Sequence, residues 1–137
     1  INWFNKNHEK KIDILCYLYA TAPFISIDTL IGCNNDLIKN DCGCVFTITD
    51  YTFHPLRALT KNSRGKMQYF LNEYSEKRSQ DLPELFHDAG QCYFFNLNKT
   101  NYEDDRLGYK IPRTLSQDID TVSDLKFAEI LFNLIKK

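Results

Sequence analysis

The first long apolar run of the chain covers residues 12–20, IDILCYLYA, and is almost unbroken. It has the length of a strand. A run without polar alternation is typical of a parallel strand that is covered on both faces. The pattern therefore predicts a central strand of a sheet.

A helix is predicted after the break at Ala22-Pro23, because Ser26 can cap its first turn and NDCG can end it. A second β-branched and aromatic run, CVFTITD, follows directly. Strand, helix and strand in this order form a βαβ unit with a right-handed crossover. We therefore predict an α/β fold with a mostly parallel sheet. The helical spacing rests on five apolar residues: Ile27, Leu30, Ile31, Leu37 and Ile38.

From His54 the pattern changes to two short strand candidates on either side of NSRG, where Gly65 can take the positive φ of a tight turn. This predicts a hairpin arm. A polar stretch then leads to the apolar run QCYFFNLN, which we expect to return to the sheet. Two interpretations of the arm stay open: it binds a partner, or it is a surface insertion without one.

Length and charge limit the class of protein. The 137 residues, 43% of them apolar, suffice for a single domain. With 17 basic and 18 acidic residues, the chain has no basic block that would indicate nucleic acid. No apolar run reaches the roughly 18 residues of a membrane span, and the start resembles no signal peptide. We expect a cytoplasmic protein without a membrane partner and, because the chain begins at Ile1, the tail of a longer protein.

The five cysteines are odd in number, and three of them lie in or beside apolar runs. This usage is typical of reduced thiols in a cytosolic protein. Cys42-Gly-Cys44 lacks the spacing and the second pair that a zinc site needs, so zinc is not expected.

Two aspartates stand one residue apart in SQDIDTVSD, just before the last predicted helix, LKFAEILFNLIKK. In an extended chain, Asp118 and Asp120 point to one face and Ile119 to the other. Two carboxylates so close favour a hard divalent cation such as Mg²⁺. The alternative is a helix cap, in which Asp120 or Thr121 caps the helix and Asp124 closes a Thr-x-x-Asp box.

Three stretches in the same order along the chain carry a family resemblance: YATAPF, RSQDLPELFHDAGQCYFF and SQDIDTVSDLKFAE. Together they resemble the cytidylyltransferases that activate nine-carbon 2-keto sugar acids, the CMP-sialic acid synthetase family. The resemblance is strongest to its bacterial branch that acts on pseudaminic acid.

The resemblance implies a Rossmann-like α/β fold of the nucleotide-diphospho-sugar transferase type. It further implies a homodimer and a Mg²⁺-dependent reaction of CTP with a nonulosonic acid that releases pyrophosphate, for glycosylation of the cell surface or of flagellin. Residues 1–137 would form the C-terminal portion of the single catalytic domain, whose N-terminal part is missing, with 54–88 as the dimerisation arm. Asp118 and Asp120 match the aspartate pair that holds Mg²⁺.

The acceptor site is also implied by the resemblance. The sugar carboxylate calls for a guanidinium, which makes Arg57 and Arg78 candidates, and Arg78 lies in the better matched motif. Arg78 is expected to act in catalysis together with the aspartate pair. Tyr93 corresponds to a tyrosine that lines the sugar pocket, although a strand aromatic in the core is the alternative. The remaining candidates for substrate contacts are Tyr19, Thr21, His87 and Gln91; for His87 a structural role is the alternative.

Two departures from the family pattern matter. The glycine-rich loop that cradles the CTP phosphates is absent from this chain, which by itself is expected to be inactive. Tyr19 stands before ATAP where the sialic acid enzymes have glutamine, which favours pseudaminic acid as acceptor. Two alternatives stay open: a non-catalytic relative acting as a dimeric assembly module, and a CMP-transferase for sialic, legionaminic or octulosonic acid.

Overall fold

The computed structural model describes residues 1–135, which fold into three α-helices and six strands. Lys136 and Lys137, the end of the last predicted helix, lie outside the described residues. The chain divides into two units, one of Ile1–Thr49 and the chain from Asp88 onward, the other of Asp50–His87. The helices are α1 (Asn2–Asn7), α2 (Ile27–Lys39) and α3 (Val122–Ile135), and the strands are β1 (Ile14–Leu18), β2 (Cys44–Asp50), β3 (Leu59–Lys61), β4 (Met67–Tyr69), β5 (Phe86–Asn96) and β6 (Arg106–Lys110).

The main sheet has the strand order β1-β5-β2-β6. β1 pairs antiparallel with β5, with Leu18 opposite Cys92, whereas β2 and β6 are parallel, with Cys44 opposite Arg106. The α/β class is confirmed, but the prediction of a mostly parallel sheet is wrong: the sheet is mainly antiparallel with one parallel pair. The two strands of the predicted βαβ unit, β1 and β2, are not neighbours in the sheet, because β5 lies between them.

The position of β1 also differs from the prediction. Among the described strands it lies at one end of the order, not at the centre. The side chains of Tyr17, Leu18 and Tyr19 are exposed. An apolar run thus marked a strand correctly, but it did not distinguish burial in a core from an aromatic surface.

α2 begins where the sequence predicts, because the Ser26 hydroxyl accepts a hydrogen bond of 3.1 Å from the Thr29 amide. Its buried side carries Cys33 and Leu37, which pack with Val45, Cys92 and Phe94 in the core of the first unit. Ile27 is 74% exposed, and Ile31 and Ile38 are exposed with it. Three of the five predicted apolar positions therefore lie on the solvent side of the helix.

β2 occupies the predicted stretch and carries two buried threonines. Thr47 Oγ1 accepts a hydrogen bond of 3.3 Å from the Cys92 amide, and Thr49 Oγ1 donates one of 2.9 Å to the Ile111 carbonyl. Each hydroxyl thus satisfies a neighbouring main-chain group inside the unit. These two bonds fasten β2 to β5 and to the chain after β6.

All five cysteines are free thiols, and all but Cys16 are buried. The Cys33 and Cys92 sulfurs lie 4.0 Å apart in the core. Their hydrogen bond and the burial raise the pKa of Cys33, so this group is a protonated thiol at neutral pH. Within residues 1–135, no helix has both the length and the apolar character needed to cross a membrane.

The second unit contains the predicted hairpin, in which β3 pairs antiparallel with β4. Gly65 adopts a φ of 77°, as the turn requires, and Asn62 Oδ1 accepts 3.0 Å hydrogen bonds from the amides of Arg64 and Lys66. The hairpin is therefore set by local turn chemistry. Its apolar side chains are nonetheless open to solvent: Leu59, Met67 and Phe70 are all exposed.

Candidate active site

The carboxylate of Asp118 lies against β5 and the end of β1 in the first unit. A methyl group added to Gly90 would lie 3.6 Å from Asp118 Oδ2 and 3.9 Å from Tyr19 Cδ2. Gly90 has a φ of 62°, a conformation that favours glycine, inside a strand. The positive φ therefore accounts for a glycine at this position, and the Asp118 carboxylate and the Tyr19 ring both lie within van der Waals contact of where its side chain would begin.

The aspartate pair has the exposure that its spacing predicts. Asp118 and Asp120 are exposed, and Ile119 between them is half-buried. Asp118 Oδ1 accepts a hydrogen bond of 3.0 Å from the Ile119 amide, which orients the carboxylate. Mg²⁺ commonly takes one or two protein carboxylates and completes its shell with water and phosphate oxygens. Two exposed aspartates fit that requirement, and residues 1–135 assemble no larger group of His, Cys, Asp and Glu side chains for a metal ion.

The start of α3 shows which residue supplies the cap. Asp124 Oδ2 accepts hydrogen bonds from the Thr121 amide and hydroxyl at 2.8 and 2.7 Å, and the Thr121 hydroxyl accepts one from the Asp124 amide at 3.2 Å. These bonds from Thr121 lower the pKa of Asp124. The predicted Thr-x-x-Asp box is therefore formed, with Thr121 as the capping side chain. The two interpretations of this segment are compatible, since the cap uses Thr121 and Asp124 and the pair is Asp118 and Asp120.

Tyr93 lies on β5 with its hydroxyl donating a hydrogen bond of 2.6 Å to Asp88 Oδ2. The other carboxylate oxygen of Asp88 accepts a bond of 2.8 Å from the Gly90 amide. Burial, and then the hydrogen bond to Asp88, raise the pKa of Tyr93 well above its ordinary value, so the hydroxyl stays a donor. The ring lies edge-on to Tyr19 at 5.6 Å and is stacked with Phe46 at 6.0 Å.

Beside Tyr93 the first unit has an open cleft of about 570 Å³. Its wall combines aromatic rings with polar and charged side chains. The guanidinium of Arg106 lies 5.6 Å from the centre of the Phe46 ring. Sequence reasoning singled out only Tyr93 here. The i, i+2 spacing of Tyr93 and Phe95 was the available signal, because it places both rings on one face of a strand. The other lining residues were not anticipated, among them Phe95, Tyr102 and Arg106.

Gln91 and Thr21 have more internal surroundings. Gln91 is 1% exposed, and its Nε2 donates a hydrogen bond to the Leu115 carbonyl. Thr21 is half-buried in the turn after β1, where the Ala22 amide donates to the Tyr19 carbonyl at 3.3 Å.

The other predicted residues belong to the second unit. Both Asp81 carboxylate oxygens accept hydrogen bonds from Arg78, from Nε at 2.8 Å and from Nη2 at 3.1 Å. Arg57 Nη1 donates a bond of 3.5 Å to the Ser79 hydroxyl, so the two arginines belong to neighbouring segments. His87 contacts the ring of Tyr51, with centroids 4.9 Å apart. The structure thus brings Tyr19, Tyr93 and Asp118 together in the first unit, and it describes Arg57, Arg78 and His87 within the second.

Comparison with known proteins tests the resemblance. A pseudaminic acid cytidylyltransferase of Campylobacter jejuni, serotype O:2, is 34% identical over 128 residues, 89% of this chain and 55% of the relative. The protein of the same name from serotype O:23/36 gives the same values. A Helicobacter pylori protein named pseudaminic acid cytidylyltransferase and UDP-2,4-diacetamido-2,4,6-trideoxy-beta-L-altropyranose hydrolase is 33% identical over 85 residues, 61% of this chain and 16% of that protein.

No protein-family model matches the chain. The chain spans about half the length of the two Campylobacter relatives. The resemblance predicted from three motifs is nevertheless confirmed, because the similarity extends over most of this chain. By sequence, the chain is a homologue of the pseudaminic acid cytidylyltransferases over about half of their length.

Proposed function

We propose that the protein is a cytidylyltransferase that transfers CMP from CTP to a nonulosonic acid, with pseudaminic acid as the acceptor. One observation carries this proposal beyond the sequence similarity. Asp118 from SQDIDT, Gly90 from DAGQCYFF and Tyr19 from YATAPF lie side by side. All three matched motifs therefore meet at one place in the first unit.

In the proposed reaction the anomeric hydroxyl of the sugar acid attacks the α-phosphorus of CTP. The new oxygen–phosphorus bond forms as the bond to the β-phosphate bridge breaks, pyrophosphate leaves, and the hydroxyl proton passes to solvent or to a base. Such a step depends on positioning and on stabilising charge at the phosphoryl oxygens. Asp118 and Asp120 would hold Mg²⁺, which when bound supplies that positive charge.

The aromatic groups of the first unit suit the acceptor. Pseudaminic acid carries deoxygenated, weakly polar faces, which pack well against the rings of Tyr19 and Tyr93. The Tyr93 hydroxyl is held by Asp88 at 2.6 Å, so this ring has a fixed orientation. The acceptor carboxylate is assigned to Arg78, with Arg57 as the second candidate, because a guanidinium binds a carboxylate through two parallel hydrogen bonds.

The finer architecture is part of the proposal. We infer a Rossmann-like arrangement of the nucleotide-diphospho-sugar transferase type, a cytoplasmic protein and a homodimer in which 54–88 is exchanged as an arm. Apolar exposure within these residues supports the arm, since Phe70 is 68% exposed and Leu59 and Met67 are exposed with it. Apolar groups in such number favour a covering partner, and two-fold symmetry is the commonest way to supply one.

The dimer gives a testable prediction. The unmodified full-length protein should sediment as a dimer at micromolar concentration, and Met67→Glu combined with Phe70→Glu should shift it to monomers, because two charges would be buried in the interface. Gln68→Glu is the matched control, since it adds one charge to a polar exposed position of the same strand and should leave the dimer intact. If the unmodified protein sediments only as a monomer, the proposal that 54–88 is a dimerisation arm is wrong.

The activity is tested by pyrophosphate release from the full-length protein with Mg²⁺, CTP and a panel of sugar acids. We expect the highest rate with pseudaminic acid and lower rates with legionaminic, sialic and octulosonic acids. A higher rate with another sugar acid would overturn the acceptor assignment. If no pyrophosphate is released with any acceptor, the proposed enzymatic activity is wrong and the non-catalytic assembly module is favoured.

A further inference from the structure

Gln91 is the largest polar side chain that is almost completely buried in the first unit, with 1% of its surface exposed. A buried amide is costly unless its polar atoms are hydrogen-bonded. Here Nε2 donates to the main-chain carbonyl of Leu115. The contact therefore joins the middle of β5 to the chain that leads towards the aspartate pair.

The position of this contact along the chain is what gives it a role. Leu115 ends a short 3₁₀ turn, and the following residues up to Asp118 belong to neither helix nor strand. Gly90, which directly precedes Gln91, is the residue against which the Asp118 carboxylate lies. Two adjacent residues of β5 therefore lie at the two ends of this short irregular segment: Gln91 is bonded to Leu115, and Gly90 lies beside the Asp118 carboxylate.

The same strand is itself held firmly at this point. The Gln91 carbonyl accepts a hydrogen bond of 3.0 Å from the Tyr19 amide, and the next amide, that of Cys92, donates to Thr47 Oγ1. Because the strand is fixed at this point, the Gln91 side chain can hold the Leu115 carbonyl, and with it the following segment, in one place. The described hydrogen bonds of residues 116–118 are local: the Ser116 amide donates to the Arg113 carbonyl, Gln117 Nε2 to the Asp118 carbonyl, and the Ile119 amide to Asp118 Oδ1. The bond from Gln91 to Leu115 ties this stretch to β5.

We infer that Gln91 is a positioning residue for the metal site: it holds the Leu115 carbonyl so that the Asp118 carboxylate stays over Gly90. This inference rests on the proposed function for the identity of the ion. It replaces the direct substrate contact that the family resemblance implies for Gln91, because the amide nitrogen is buried and already bonded to the protein. Partners of this kind, which orient a metal ligand without touching the metal, commonly change metal affinity when they are removed.

The test uses Gln91→Met, which keeps the length of the side chain and removes the donor. Mn²⁺ binding to the full-length protein is measured by electron paramagnetic resonance without nucleotide, together with the Michaelis constants for CTP and for the sugar acid. We expect the Mn²⁺ dissociation constant to rise about ten- to a hundredfold. The Mg²⁺ concentration for half-maximal pyrophosphate release should rise in parallel, and the Michaelis constant for the sugar acid should stay unchanged at saturating Mg²⁺.

Thr49→Val is the matched control, since it removes an equally buried donor to a main-chain carbonyl, that of Ile111, upstream of the same segment. It should lower the melting temperature and leave the Mn²⁺ constant unchanged. If Gln91→Met fails to fold, Gln91→Asn, which keeps an amide on a shorter stem, should shift the Mn²⁺ constant in the same direction.

An unchanged Mn²⁺ constant in a folded Gln91 variant would overturn the inference. So would a raised Michaelis constant for the sugar acid alone, which would make Gln91 a substrate contact. Absence of Mn²⁺ binding by the unmodified protein would overturn it as well. Failure of the proposed function is seen separately, as no pyrophosphate release from an unmodified protein whose Mn²⁺ binding still depends on Gln91.

Discussion

Replacement of Asp118 or Asp120 by Asn should lower pyrophosphate release by about two to three orders of magnitude, because each variant removes a carboxylate that holds the ion against the phosphoryl oxygens. Folding should be unaffected. Both side chains are exposed, and the cap of α3 is formed by Thr121 and Asp124 instead. The measurement is the turnover number as a function of Mg²⁺ concentration, with the melting temperature recorded for each variant.

Asp124→Asn is the control for charge. It removes one negative charge six residues from Asp118, but from a carboxylate that is engaged by Thr121 at 2.7 and 2.8 Å. Turnover should therefore persist, while the melting temperature falls because the cap is weakened. Undiminished Mg²⁺-dependent turnover in both the Asp118 and the Asp120 variants would contradict the metal assignment.

Local chemistry explains which elements the sequence could predict. β2 coincides with CVFTITD, α2 starts after the Ser26 cap, and the hairpin turns at Gly65, where φ is 77°. Each depends on residues that are close in sequence: a β-branched run, a side chain that accepts from an amide three residues on, and a glycine at positive φ.

The order and direction of strands depend on contacts that are distant in sequence. Residues 92–96 of β5 pair with β1, and the paired residues are more than 70 positions apart along the chain. No periodicity within β1 or β2 could indicate that a third strand lies between them. The short strand β6, RLGYK, was not predicted either, because its charged ends and central glycine are typical of a loop. It is a strand because it pairs with β2.

The candidate site divides in the same way. The spacing of Asp118 and Asp120 predicted a cation site, because paired carboxylates are informative by themselves. Tyr93 was named only through the family resemblance, because a strand aromatic is as common in a core. A role for Gly90 was not predicted, because a glycine inside a strand is common. For Gln91 the family resemblance implied a substrate contact and not a positioning role. The positioning role that we infer for Gln91 depends on the spatial approach of Asp118 to Gly90 and of Leu115 to Gln91.

Arg78→Lys should raise the Michaelis constant for the sugar acid, although it preserves the charge. Arg78 presents Nε and Nη2 as a fork, which in this structure binds both oxygens of Asp81. The same fork suits an acceptor carboxylate, and a lysine ammonium cannot reproduce it. Losing a charge-assisted bidentate contact costs roughly 1.5 to 3 kcal/mol, or about ten- to a hundredfold in affinity.

The ion pair with Asp81 makes this prediction sharper, because Asp81 occupies the donors that the acceptor would use. The Arg78 side chain is 73% exposed, and exposed ion pairs contribute no more than about 1 kcal/mol, so an acceptor carboxylate can displace Asp81. Asp81→Asn should then lower the Michaelis constant for the sugar acid, by at most about fivefold, while Arg78→Lys raises it. The constant for CTP should change in neither variant. If Arg78→Lys instead weakens CTP binding with the sugar acid constant unchanged, Arg78 is a phosphate ligand; if Asp81→Asn raises the sugar acid constant, Asp81 orients the guanidinium and does not compete for it.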